Sequence, residues 1–443
     1  MKKEQTEEIH LQLSWVRIKR GTALKTDKID QKWELLSPGT WNLEAGPDFL
    51  NAKFKINGQE FTGDVEIHKK TSDWKYHKHS ENPLYNNVIL HVVETDDCSI
   101  NKSSKQKVPQ IPVLTIAPAS SSARIAVKDK FPSGKCQKFF SSYSDDDLHK
   151  LFMKAGIKKL INKSSKIMSA MQEQGINRAL YQYIFEACGY KHNRLQFLEL
   201  FSRVKSYKNL EPAALEVVLW GESGLLPDPA ATMLDKEMHE FTINLWSRWW
   251  KIRRGSNSRI NWTHSSIRPV NSPERRIAGL LSILKKFNEH PIEKLCHLSE
   301  KAESPNSLIK AFRTLILTSD PLWDLYYTFT SKAEKSSKVI GKSRTDDIIV
   351  NCILPSLDAY SKITDNRHLK NKIQDAFLQM PKSQDNRILK TASVKWFMPP
   401  SRQKNIFKNA GSQQGAIYLY RGFCLEYCNE CEKCPLNTLI KNL

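Results

Sequence analysis

The chain has 443 residues, of which 40% are hydrophobic, so it can bury the cores of about two or three domains and is not a disordered protein. Its 68 Lys and Arg stand against 47 Asp and Glu, a formal charge of +21 that favours a polyanionic partner, DNA or RNA above all. No apolar run approaches a membrane span, the opening MKKEQTEEIH lacks the apolar core of a secretory signal, and the nine cysteines are then expected as free thiols or metal ligands in the cytoplasm.

In chain order, an amphipathic segment from about Thr6 to Lys19 comes first. From Asn51 to Asn57, Ala52, Phe54 and Ile56 alternate with polar residues, and on the next run Val65 and Ile67 alternate with Asp64, Glu66 and His68, which is the period of two strands. Asn57-Gly58 between them suits a two-residue type I′ turn, because both residues tolerate positive φ. The segment SDWKYHKHSENPLY comes next, with Ser72 or Asp73 expected to cap a helix. The apolar run NNVILHVVE then reads as a central strand covered on both faces.

This order places Asp48 just before one strand and Glu66 and His68 on the next. Two carboxylates at that spacing supply hard oxygen ligands for Mg²⁺ or Mn²⁺, and a neutral His68 can take a proton from water near pH 7. Lys69 or Lys70 can reach a phosphate as an electrostatic clamp, and Asp64 is expected only to support. His77 and His79, with His91 nearby, offer phosphate contacts or, together with Glu66 and His68, a zinc ligand set.

After the Ser-rich stretch 118–130, expected as a linker, segments of 3.6 period predominate, among them DDLHKLFMKAGIKKLINKSSKIMSAMQ and EPAALEVVLWGESGLL. At 245–276, Trp246, Trp249 and Trp250 interleave with cations and are expected to form one core face of a helix. Arg268, Arg275 and Arg276 are the better phosphate candidates there. Near the end Cys424, Cys428, Cys431 and Cys434 form a CxxxCxxCxxC array, which points to Zn²⁺ or an iron–sulfur cluster. Cys424, Cys431 and Cys434 resemble the CxxxxxxCxxC start of the endonuclease III type of [4Fe-4S] ligand run, although Ile440 stands in place of its final Cys.

The strand order with Pro47-Asp48 and Glu66-Ile67-His68 resembles the core of the PD-(D/E)xK, or restriction-endonuclease-like, phosphodiesterase superfamily over roughly residues 5 to 118. His68 stands where that superfamily has Lys. The resemblance implies a metal-dependent nuclease with Asp48 and Glu66 as metal ligands, His68 as water activator and Glu8 as a helix acid joining the site. At whole-chain scale GPDF, GDVEIH, DWxxHxH, NVILHVV, GYKHN, IRPVNSPERR and QGAIY resemble an uncharacterised bacterial family of unknown function, which implies no activity.

The expected fold is α+β: a nuclease-like α/β domain over 1–118, a helical domain over 131–420 and a cysteine-rich metal-binding tail over 421–443 packed on the helical domain. The expected function is divalent-metal-dependent phosphodiester hydrolysis of nucleic acid. The alternatives are a non-catalytic nucleic-acid-binding protein with a degenerate site, and a zinc hydrolase of a small anionic substrate.

Overall fold

The structure is a computed structural model that describes residues 8–28, 30–42, 46–77, 79–98, 111–117, 136–190, 192–205, 207, 212–253, 259–264, 267–287, 290–384, 386–425, 434–436 and 438. The expected linker at 118–130, with Cys428 and Cys431, lies outside them. The chain is α+β and divides into two compact units. One comprises Met1–Leu151, Asp385–Ile406 and Ala416–Leu443, and the other Phe152–Gln384 and Phe407–Gly415. The described residues 416–425 fall in the first unit, and most of the expected cysteine-rich tail at 421–443 lies outside the described residues.

In the first unit, helix α1 (Glu8–Arg17) is followed by β1 (Thr22–Leu24), β2 (Trp33–Ser37), β3 (Thr40–Trp41), β4 (Phe49–Ile56) and β5 (Gln59–Lys70). A short helix α2 (Asp73–Tyr76) and two 3-10 turns at His79–Glu81 and Pro83–Tyr85 lead to β6 (Val88–Thr95) and β7 (Val113–Thr115). All seven strands form one sheet in the order β1-β2-β4-β5-β6-β7, with β3 paired to β4. Strands β1 to β5 pair antiparallel, and β6 lies parallel to β5 because the helical segment between them carries the chain back to the starting edge. The turn forms as expected, with φ of 49° at Asn57 and 89° at Gly58 and Ile56 paired to Gln59.

The core of this unit results from the alternation. Leu11 and Trp15 of α1 join Phe54, Val65, Ile67, Leu90 and Val92 in one buried cluster, and the indole N–H of Trp15 donates to the Pro38 carbonyl at 3.0 Å. A smaller cluster of Trp74, Tyr85, Val88 and Ile111 includes residues of the α2 segment. Ser72 does not cap α2; its hydroxyl donates instead to Asp97, and Asp73 accepts from the Lys70 amide. Among the C-terminal residues of the unit, Trp396 packs its ring on Phe140 with centroids 5.5 Å apart and Arg402 pairs with Asp145 at 2.7 Å.

The second unit is helical. One continuous core runs from Leu160 through Ile184, Trp220, Leu245, Ile283, Phe312 and Leu357 to Ala410. Close backbone approach replaces side-chain packing at several glycines, among them Gly415 of QGAIY, where a Cβ would lie 1.9 Å from the Phe152 carbonyl oxygen. The helix Lys236–Ile252 departs from the expected tryptophan face. Met238, Thr242, Leu245 and Trp249 set its buried stripe, Trp249 lying over Gly221, so Trp250 falls outside the stripe and is 51% exposed with the Arg253 guanidinium 4.6 Å from its ring. Among the described residues no helix is long and apolar enough to cross a membrane.

Candidate metal centre

Strand β5 builds the site because its period places Asp64, Glu66 and His68 on one face, and the segment after α2 lays His77 and His79 over Glu66 and His68. Glu66 and His68 are 5% and 1% exposed. In the parallel pairing Glu66 lies beside His91 of β6. On β4 the register shifts between Phe49 and Ala52, and Asn51, at φ 55°, donates its amide to Asp64 at 2.9 Å. Asp64 therefore supports this bulge, and the bulged strand aims Asp48 at β5.

Asp48 and Glu66 interlock. The Asp48 amide donates to Glu66 Oε2 at 3.0 Å, and Asp48 Oδ2 accepts from the Ile67 amide at 3.1 Å. Gln12, which gave no local signal in the sequence, donates to Asp48 Oδ1 at 2.6 Å and to Glu8 Oε1 at 3.3 Å while accepting from Arg387 at 3.1 Å. Burial and the neighbouring carboxylates of Glu66 and Glu8 push the Asp48 carboxyl well above the usual range. Burial, with Glu66 close by, also raises Glu8. Burial acts upward on Glu66 too, but hydrogen bonds from His68 and His79 outweigh it and hold Glu66 at about 2.

Around the other oxygen of Glu66 the histidines gather. Glu66 Oε1 lies 3.2 Å from His68 Nε2 and 3.3 Å from His79 Nε2, and those two nitrogens are 3.2 Å apart. His77 Nδ1 is a further 3.2 Å from His68 Nε2, and the ligand atoms of the three histidines all lie within 4.8 Å of one another. On its far side His68 Nδ1 meets His91 Nε2 at 2.9 Å. The α2 segment delivers His77 and His79, and Tyr85 holds the latter by stacking with ring centroids 3.8 Å apart. Burial, with His68 beside it, lowers His91 to about 3, and partial desolvation together with the charges of His68 and His79 lowers His77, which is exposed.

Proton counting tests whether these residues suit a metal. His68 Nε2 carries one proton or one lone pair, yet it faces a carboxylate oxygen and two imidazole nitrogens. A single proton cannot serve all three contacts. A cation can, and the separations agree, since ligands about 2.0 to 2.1 Å from a tetrahedral ion lie about 3.3 to 3.4 Å from one another. Glu66, His68 and His79 present one such face and His77 a fourth donor, whereas both oxygens of Asp48 already accept hydrogen bonds.

The structure thus brings together Glu8, Asp48, Glu66, His68, His77 and His79. Lys70 is exposed at the end of β5, and the half-buried Lys69 points to the opposite side of the strand. Arg268, Arg275 and Arg276 belong to the helical unit, where Arg268 is exposed. Arg275 does not fit the expected phosphate role. It is 1% exposed, and its terminal nitrogens donate to the carbonyls of Trp323, Tyr326 and Ser337, which makes it a clamp on the chain. Of the terminal cysteines, Cys424 accepts from the Trp396 indole at 3.2 Å and Cys434 is half-buried.

A seven-stranded mixed sheet carrying a carboxylate–histidine cluster, joined to a helical unit, defines an α+β protein. The chain matches the family described as "Protein of unknown function (DUF2851)" over residues 8–386, and it belongs to that family. No curated protein and no solved structure matches it.

Proposed function

We propose that the protein is a metal-dependent phosphodiester hydrolase acting on nucleic acid, with its metal held by Glu66, His68, His79 and His77. The observation that carries the reading is the convergence of one carboxylate oxygen and three imidazole nitrogens beside Asp48. It is supported by the path α1, β2, β4, β5, α2, β6, which has the order that the PD-(D/E)xK resemblance implies, with Asp48 ahead of β4 and Glu66-Ile67-His68 on β5. The charge of +21 suits a polyanionic substrate.

The donor set shifts the metal expected from sequence. Imidazole nitrogens favour Zn²⁺ or another transition ion over Mg²⁺, which prefers oxygen and water. Such an ion lowers the pKa of a bound water and polarises a phosphoryl oxygen. His68 then serves as a ligand, oriented by His91, instead of as the water-activating base. Asp48 and Gln12 position the backbone of Ile67 and the carboxylate of Glu66 from the other side.

The test is metal analysis of the purified chain together with cleavage of single- and double-stranded DNA and RNA. Glu66→Ala and His79→Ala are each expected to lose the bound metal and to lower turnover about 100-fold or more. Unchanged metal content in both variants, with no cleavage under Zn²⁺, Mn²⁺ or Mg²⁺, would sink the proposal. The same metal loss with turnover confined to small phosphate esters would favour the zinc hydrolase of a small anionic substrate. We also propose a second metal, a [4Fe-4S] cluster or Zn²⁺, on Cys424, Cys428, Cys431 and Cys434; visible absorption of the anaerobically purified chain separates the two.

A further inference from the structure

Two stretches conspicuous in the sequence, GYKHN at 189–193 and RPVNSPERR at 268–276, meet within the helical unit around Arg276. The Arg276 side chain is buried, with 7% of the residue exposed. Its Nη2 donates to Asn271 Oδ1 and its Nη1 lies 3.5 Å from the Val339 carbonyl, but its Nε–H has no partner. Among the described residues no carboxylate comes within 4.0 Å of it.

A second guanidinium stands close by instead. Burial, and then the charge of Arg344, lower Arg276 to about 10. Arg344 is itself mostly buried, with its guanidinium 3.5 Å from the centre of the Tyr190 ring and its Nη1 3.6 Å from Asp347. Tyr190 forms a rim: it is 45% exposed and held at φ 56°, a left-handed conformation costly for a bulky side chain.

A guanidinium keeps its proton at neutral pH, so two guanidinium groups that share one carboxylate, one of them buried with an unpartnered Nε–H, leave positive charge for an anion from elsewhere. Arg275 next to it shows the contrasting structural case, with backbone carbonyls occupying its terminal nitrogens. Asp347 lies against Arg344 and acts on Arg276 as well, so one carboxylate is shared by two guanidinium groups. A guanidinium fork pairs well with the oxygens of a tetrahedral oxyanion.

We propose that Arg276 and Arg344, rimmed by Tyr190, form a binding site for a phosphate group, separate from the metal centre and independent of the hydrolase reading. The phosphate belongs either to a free phosphate compound or to a nucleic-acid backbone. The test is thermal melting of the full chain titrated with inorganic phosphate and, separately, with a short oligonucleotide, in the wild type, Arg276→Gln and Arg344→Gln.

A saturable rise in melting temperature is expected, weakened about tenfold or more in each variant by loss of a charge-assisted hydrogen bond. Phosphate bound at the metal centre would act equally in all three proteins, so the difference isolates this site. A response to inorganic phosphate that the variants lose assigns a free phosphate. A response to the oligonucleotide alone, lost in the same variants, assigns a backbone phosphate. No response in the wild type to either probe, or equal responses in wild type and variants, overturns the proposal. Should Arg276→Gln fail to fold, Arg344→Gln decides the matter by the same readout.

Discussion

His68 meets four partners through its two ring nitrogens, and the chemistry of the first unit is organised around it. Its Nδ1 contact with His91 fixes the ring and its tautomer, as outer groups do for metal-bound histidines. His91→Phe keeps an aromatic ring against Trp74 but removes that contact, and is expected to weaken metal binding about 10- to 100-fold, measured by competition with a chelator. Unchanged affinity would mean that His91 is only core. Asp48, Glu66 and His68 were legible because Pro47-Asp48 and the alternation after Gly63 are local patterns. Gln12 and Arg387 were not: their contact joins residues 375 positions apart, and neither neighbourhood carries a mark of it.

At the scale of elements, the strands and their turn arise from alternation and from Asn57-Gly58, whereas burial separates helices of similar pattern. The helix Lys236–Ile252 shows this. Its three tryptophans read as one face, but the stripe through Met238, Leu245 and Trp249 prevails and leaves Trp250 outside. Another case is the π-helical turn Ile349–Ile353, which buries Cys352 with its thiol donating to the Tyr183 carbonyl at 3.3 Å. Burial raises this thiol to about 12. Because the folded value exceeds the ordinary value of about 8.5, its contribution to stability is complete below that pH and is lost as pH rises toward 12. Denaturant unfolding from pH 8 to 11 should therefore decline more steeply in the wild type than in Cys352→Ala; parallel declines would refute the assignment.

For the whole molecule, the excess of 68 cations over 47 anions governs long-range behaviour more than fold. If the partner is nucleic acid, its affinity should fall linearly with salt on logarithmic axes, by about 1,000-fold or more between about 50 and 200 mM if six or more phosphates are contacted. Fluorescence anisotropy with labelled DNA and RNA measures this. A flat salt profile, or no binding at low salt, would remove nucleic acid as the partner. The charge suggests a class of partner but not which cations are available, since Arg275 is spent on carbonyls while Arg276 is buried with an unpartnered Nε–H.

By itself the sequence determined the α+β class, the strands bearing Asp48, Glu66 and His68, the hairpin between them and the helical character of the second unit. Those features depend on side-chain period and turn chemistry, which act over a few residues. Only the tertiary structure decided that His77 and His79 close on the same oxygen of Glu66, because the path of the segment between β5 and β6 sets where their rings arrive. It likewise decided the bridging role of Gln12 and the separate fates of Arg275 and Arg276, which depend on neighbours distant in the chain.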